Sequence, residues 1–406
     1  MDYLRLLRQY PRYIAYGFVH YFFSSAGQTF FISLFVPFWL LSLEIDNLEF
    51  GSIYSGATLL SAFSLPWLGQ WLDRLKLRYF SMGVGIVFVL FCIAMAYMAN
   101  PVWLFFSLFG LRLCGQGLLI LTGSTAIARY FEEDRGKALS LIGFGVSIGE
   151  FVLPLLIVSL LAWVSWQLSW WIIAATIALI FLPAAFFLIP IDDSFQNPMV
   201  DSPSEDQSNQ QQQFSRKQVL TQPTFYLILL LLLFLPFFYT GMVIHKNLIG
   251  LANGWSEQIL AQALSLFGLT RLLANLFVGP LIDRISGVKV FPYILAPIII
   301  CCVGFLLTDH IAVLYLFFLM TGLCSSLVSI AGTAILPELY GTVHLGAIKS
   351  MVSTFAVLAS AAAPIILGWA LSDPADHIWV WGISAGLVSI LTILAVVFVG
   401  KLGKNA

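Results

Sequence analysis

Gly69-Gln70-Trp71-Leu72-Asp73-Arg74 returns as Gly279-Pro280-Leu281-Ile282-Asp283-Arg284, an interval of 210 positions (279 − 69). The same interval relates Tyr130 to Tyr340, Gly136 to Gly346, Ser140 to Ser350 and Pro154 to Pro364. Seven matches in one register define a duplicated domain, because solenoid units run only roughly 20 to 50 residues. Only 10% of the 406 residues are charged and 60% are hydrophobic, against about 25% charged in a soluble globule. Two copies of an apolar bundle in lipid satisfy both facts.

A hydrocarbon layer about 30 Å thick takes about 20 apolar residues in a helix. The chain divides into twelve such runs, near 14–41, 51–69, 80–99, 102–128, 138–162, 169–190, 223–249, 257–282, 290–307, 311–335, 349–371 and 378–400. The first run is longer than a signal-peptide core and lacks a small-residue cleavage site after it, so it is expected to remain as a span. The expected fold is an all-α membrane protein with residues 1–190 as one six-helix bundle and 223–406 as the other. Between them, 191–222 carries Ser, Asp and a glutamine run without apolar periodicity, and reads as a disordered tether.

Arg5, Arg8, Arg12, Arg74, Lys76, Arg78, Arg129, Arg135, Lys137, Arg284, Lys289, Lys349 and Lys401 fall at the termini and in alternate connections. Glu44, Asp46, Glu49, Glu257, Asp309, Asp373 and Asp376 fall in the others. The bias places the basic connections and both termini in the cytoplasm of a multi-pass cell-membrane protein, an inner-membrane protein if bacterial. A net charge of −1 argues for no nucleic-acid partner. The five cysteines, Cys92, Cys114, Cys301, Cys302 and Cys324, sit in apolar runs without metal-ligand spacing, and read as small core residues.

Residues shared by both halves are scaffold, so polar groups without a like counterpart carry the information about a site. Offsetting by 210 sets Arg112 against Gly322, Glu150 against Ser360, Arg271 against Ser61 and Gln28 against Phe238. A buried charge costs roughly 2.5–3.5 kcal/mol on insertion scales and must face a partner or water. At a helical rise of about 1.5 Å per residue, all four lie roughly 16–24 Å from the basic ends of their spans, in one layer near the midplane. Gly143, Ser147, Glu150 and Pro154 share one side of the fifth span, and Gly268, Arg271, Asn275 and Gly279 one side of the eighth.

Arg112 and Glu150, on adjacent helices about one turn apart in depth, are expected to pair, leaving Arg271 without an acid in its own half. One reading then gives the Arg271 guanidinium an anionic solute group such as a carboxylate, with Gln28, Asn275 and Tyr239 around it. The other leaves Arg271 bonded only to carbonyls and water. Glu150, pairing with Arg112 when ionised, and His245 are candidate proton carriers; His245, beside Lys246 near the acidic end of its span, is equally a gate or an interfacial residue. No carboxylate or carbonyl cluster suggests a sodium site, no glycine cluster follows a strand to hold a nucleotide, and no cofactor or metal is expected.

Gly-x-x-x-Asp-Arg after the second span of each half, Gly69/Asp73/Arg74 and Gly279/Asp283/Arg284, resembles the signature of the major facilitator superfamily. Arg112-Leu-Cys-Gly-Gln116-Gly looks like that family's fourth-helix arginine motif. The run from Ala128 to Ala138, with Gly143, Gly145, Gly149 and Pro154, is similar to the branch of monocarboxylate transporters and oxalate/formate antiporters. The resemblance implies two pseudo-symmetric six-helix bundles, alternating access, a monomer, and the Asp-Arg pairs as latches that break when the halves rock. It also implies an arginine at the position of Arg271 that meets carboxylates. The expected function is secondary transport of a small organic anion coupled to protons. A proton-driven efflux carrier for amphipathic compounds is the alternative, then a non-transporting sensor. The histidines are scattered over different spans, which argues against an enzyme.

Overall fold

A computed structural model describes residues 2–131, 134–189, 214–341, 344–371 and 377–402. Among these, secondary structure is entirely helical. Ten helices are long and apolar enough to cross a membrane, from Leu77–Ala96 to Ile378–Phe398. The other two expected spans are also helical but depart from that rule. The second, Asn47–Arg74, is an unbroken 28-residue helix diluted by Gly, Ser and Thr. The first is not continuous: a helix over Pro11–Phe23 gives way to a 3₁₀ turn at Ser24–Gly27, and Gln28 is extended at φ −85°, ψ 154° before the helix resumes at Thr29. The uninterrupted first helix expected from 14–41 is therefore corrected. Ser24, Ser25, Ala26 and Gly27 give little side-chain packing to hold a straight helix there, and a broken helix at membrane depth is tolerated where other protein groups meet the freed backbone.

Helix ends follow the charge asymmetry. The second, fourth, sixth, eighth and tenth spans all start from the end opposite the basic connections, and each has a side-chain N-cap: Asp46, Asn100, Ser165, Ser256 and His310. Asp46 and Glu49 form a reciprocal capping box at 2.7 and 3.1 Å. At the opposite end, Arg74, Arg129 and Arg284 lie in last turns, where a cation complements the negative end of the helix dipole. Trp163, Trp369 and Trp379 stand 88%, 70% and 72% exposed near the acidic end, as aromatic residues do at a lipid–water boundary.

Glycines set the close crossings inside the first half. A Cβ on Gly145 would lie 2.6 Å from the Phe18 carbonyl, and one on Gly149 2.2 Å from Ser25 Oγ. The Gly145-x-x-x-Gly149 pair thus lets the fifth span lie against the first. All five cysteines are buried and unbridged. Most of the expected tether falls outside the described residues, but its end is ordered: Ser215 and Gln218 cap a short helix, Arg216–Leu220, and the Phe214 amide donates to the Tyr340 carbonyl at 3.1 Å. Val219 is fully buried there, so an apolar anchor overrides the polar composition at that point.

The two Gly-x-x-x-Asp-Arg segments form the last turns of the second and eighth helices rather than loops. Arg74 and Arg284 are exposed; the side chains of Asp73 and Asp283 lie outside the described residues. Arg129 donates to the Leu72 carbonyl at 3.1 Å beside the first copy. Beside the second, the Glu338 carboxylate accepts from Ser286 Oγ and from the Gly287 and Val288 amides at 2.7–3.1 Å. Both copies are thus tied to the end of the fourth helix of their half, one by a cation on a helix C-terminus and the other by an anion on a helix N-terminus.

Candidate functional site

A cavity of about 690 Å³ lies between the halves, walled by the first, second, fourth, fifth, seventh and eleventh spans. It extends toward the basic end, since Phe63, Pro66 and Trp67 come from that end of the second helix, and Ser353 and Thr354 from that end of the eleventh. The acidic end is closed. A Cβ on Gly51 would fall 2.5 Å from the Pro364 carbonyl, and one on Gly368 3.2 Å from the Asn47 carbonyl. Lys246, 3% exposed, reaches across the same end and donates from Nζ to the Ser33 carbonyl at 2.7 Å. That carbonyl lies in the turn between the short helix Thr29–Ile32 and the helix Val36–Leu43.

Arg112 lines the cavity from the start of a π-helical stretch, Arg112–Leu119, within the fourth span. Such wide turns recur at functional sites. Arg112 as a whole is 2% exposed. It donates from Nη1 to the Gly27 carbonyl at 3.2 Å and to Thr29 Oγ1 at 3.3 Å, and its Cζ lies 5.1 Å from the Tyr54 ring centroid. The break in the first helix therefore supplies the acceptor: the Gly27 carbonyl is free because the helix does not continue. Gly27 itself packs so closely that a Cβ would meet the Leu111 carbonyl at 2.2 Å. Thr29 is held in turn by the Tyr54 hydroxyl at 2.8 Å.

Glu150 does not pair with Arg112. It accepts two hydrogen bonds from Nη1 of Arg271, at 2.8 and 2.9 Å, across the boundary between the halves. The expected ion pair within the first half is corrected, and with it the expectation that Arg271 stands uncompensated. Backbone packing is the reason. Gly268 lets the eighth helix approach until a Cβ would touch the Phe151 amide at 2.4 Å, which brings Arg271, one turn on, within reach of Glu150. Sequence spacing ranks partners by depth and chain neighbourhood, and does not register a glycine contact between halves. Of the two arginines Arg112 and Arg271, it is Arg112 whose guanidinium donates to neutral acceptors, the Gly27 carbonyl and Thr29 Oγ1.

The other expected residues divide. Gln28 and Tyr239 line the cavity with Arg112 and Glu150. Tyr239 stacks on Phe267 with centroids 4.4 Å apart, and its hydroxyl is buried without a protein partner. Asn275 lines neither this cavity nor the smaller one beside it. His245 is 1% exposed at the closed end, where Nε2 donates to the Pro364 carbonyl at 2.8 Å, away from Glu150. Sequence reasoning passed over the hydroxyls of Thr58, Ser61, Thr240, Ser353 and Ser360 on the cavity wall. Thr240 and Ser360 hydrogen-bond to each other at 2.9 Å. Their signal was present as serine and threonine in apolar spans, but such residues also bond to their own helix. Lys246 carries no signal in the sequence beyond its place next to His245.

No curated protein matches the chain by sequence. Solved structures match it over nearly its whole length. A bacterial homologue of the human lysosomal transporter Spinster, inward-facing and unoccupied, aligns with a TM-score of 0.72 at 14% identity, covering 96% of each chain. A bacterial homologue of Spinster in an inward-facing and occupied conformation gives 0.68 at 13% identity over 99% of this chain and 98% of that one. The nucleoside transporter NupG gives 0.69 at 15% identity over 95% and 98%. At these identities the likeness is one of fold. The family model for the Major Facilitator Superfamily matches residues 17–252 and 242–405. This multi-pass, two-bundle membrane protein belongs to the Major Facilitator Superfamily, and is a transporter rather than an enzyme.

Proposed function

We propose that the protein is a proton-coupled carrier of a small organic anion of the carboxylate type, with Arg112 as the anion's contact and the Glu150–Arg271 pair as the proton-sensitive link between halves. The observation that carries this reading is the position of Arg112: a cation on the cavity wall, held by the Gly27 carbonyl and Thr29 hydroxyl and meeting no carboxylate among the described residues. A guanidinium so placed is oriented by its neutral acceptors and keeps donors for a carboxylate. Gln28, Thr58 and Ser61 supply further hydrogen bonds along the same wall.

Glu150 suits the coupling role because it touches both solute and machinery. It lines the cavity and holds Arg271 of the opposite half. Protonation removes the charge that binds the guanidinium, so the ion pair weakens and the halves lose a link. We read the basic end as cytoplasmic from its cations, and a cavity open there is what the inward-facing state of alternating access presents. The similarity of the run from Ala128 to Ala138, with Gly143, Gly145, Gly149 and Pro154, to the monocarboxylate and oxalate/formate branch supports an anionic cargo.

The hydroxyls of Thr58, Ser61, Thr240 and Ser360 favour one second reading, a neutral hydroxylated solute, and a structurally similar protein, NupG, is a nucleoside transporter. Uptake of a radiolabelled monocarboxylate into proteoliposomes separates the two. The anion reading expects uptake driven by an inward proton gradient and inhibited by other small carboxylates but not by polyols or nucleosides. Inhibition by the neutral solutes alone would replace it.

A further inference from the structure

Behind Glu150, on the side of the second half, lies a separate chamber of about 240 Å³. Its walls include Glu150, Tyr239, Phe267, Arg271, Ser325 and Ser329. Glu150, Pro236 and Tyr239 wall both chambers, so the carboxylate stands at a partition and faces two compartments at once. Beyond the fifth and seventh spans that both share, the larger one is walled by the first, second, fourth and eleventh, the smaller by the eighth and tenth.

The tenth helix, Ile311–Tyr340, carries a polar track out of the smaller chamber. Ser325, Ser329 and Thr333 recur at four-residue steps on one face, running toward the basic end of the helix, and exposure grows along it, with Ser325 half-buried and Ser329 and Thr333 exposed. Tyr239 lines the chamber and its hydroxyl is buried without a protein partner, and the side chain of Arg271 retains 29% exposure beside Glu150 at 8%. A space of this size holds several water molecules, each occupying about 30 Å³, and these polar walls offer them partners.

We infer that the smaller chamber is a water-filled proton port, through which hydronium reaches Glu150 along the tenth helix while the solute occupies the larger cavity. The step is a transfer from hydronium to a Glu150 carboxylate oxygen, which leaves water in the chamber and a neutral acid facing Arg271. The inference rests on the proton coupling proposed above and adds a path to it: cargo and proton approach the same carboxylate from opposite sides of Tyr239. Solute bound against Arg112 then does not block loading or unloading of the proton.

The test fills the port after folding. Ser329→Cys and, separately, Thr333→Cys are reconstituted and labelled with N-ethylmaleimide, and each is compared with its own unlabelled preparation. The native cysteines are buried, and labelled wild type is the control. The port predicts that labelling causes a several-fold loss of uptake driven by a pH difference. Counterflow of labelled carboxylate, measured after equilibration at equal pH on both faces, keeps its rate and half-saturation concentration, because exchange does not require the proton to leave. A raised half-saturation concentration in counterflow would make the chamber part of the solute site and overturn the inference. Unchanged gradient-driven uptake after complete labelling at both positions would also overturn it, with proton coupling left standing. Wild-type uptake indifferent to the pH difference would remove the coupling itself, and the port with it.

Discussion

Arg271 of the eighth span places one guanidinium nitrogen 2.8 and 2.9 Å from the two carboxylate oxygens of Glu150 of the fifth, so an ion pair joins the two halves near the middle of both helices. Its strength depends on both partners being charged, and its location means that any rocking of one half on the other has to deform it. It is a natural place for protonation to act on conformation.

Removing either partner leaves the other charge alone in a largely buried place. Glu150→Gln and Arg271→Gln are each expected to lower stability by about 1–3 kcal/mol, less than the ~3–5 of a dry site because Arg271 is 29% exposed. The double variant should recover part of the loss, since neither charge is then stranded. Thermal unfolding in detergent of the four proteins closes the cycle; additive losses would mean that the pair contributes no coupling.

Arg112 is proposed to meet the solute directly, and lysine keeps its charge but not its planar fork. Arg112→Lys should raise the half-saturation concentration for the carboxylate by about tenfold to a hundredfold, the equivalent of one charge-assisted hydrogen bond of about 1.5–3 kcal/mol. Initial-rate uptake measures it. An unchanged half-saturation concentration in Arg112→Lys and Arg112→Gln alike would take Arg112 out of the solute site.

Closure of the acidic end relies on the absence of a side chain at Gly51, where a Cβ would fall 2.5 Å from the Pro364 carbonyl. Gly51→Leu should wedge the second helix from the eleventh and shift the population toward opening at that end. A cysteine at Gln28, on the cavity wall, reports the change. An impermeant thiol reagent applied from the acidic side should react faster in the Gln28→Cys/Gly51→Leu protein than in Gln28→Cys alone. Equal rates would show that the contact does not govern access.

Lys246 spans the same closed end, with its ammonium on the Ser33 carbonyl at 2.7 Å. Lys246→Met keeps the stem and removes the cross-half donor. The Gln28→Cys reporter should again label faster from the acidic side, by a smaller factor than with Gly51→Leu, because a hydrogen bond is lost without a steric wedge. No acceleration would assign Lys246 a local packing role only.

The repeat and the apolar runs made the two-bundle fold legible, because lipid forces helices and a duplication forces symmetry. The polar layer was legible too: Gln28, Arg112 and Glu150 meet on one cavity wall. What escaped was who bonds to whom. The pairing of Glu150 with Arg271 depends on Gly268 packing against the fifth helix, and a glycine in a single sequence does not announce its neighbour. The break at Ser24–Gly27, which frees the carbonyl that holds Arg112, lay inside a run whose hydrophobicity alone predicted one straight helix. Asn275 shared a helical stripe with Arg271 yet lines neither cavity, since a stripe about 100° wide covers more than one environment.

Proton movement tied to the solute and to Glu150 tests the central claim most directly. Proteoliposomes carrying a pH-sensitive dye in a weakly buffered lumen receive a small carboxylate outside, with protein-free vesicles subtracted to remove passive entry of the acid. The account predicts protein-dependent acidification of the lumen with wild type and none with Glu150→Gln, although Glu150→Gln still exchanges labelled carboxylate in counterflow. Acidification by Glu150→Gln equal to that of wild type, or carboxylate entry by wild type with no proton, would contradict it.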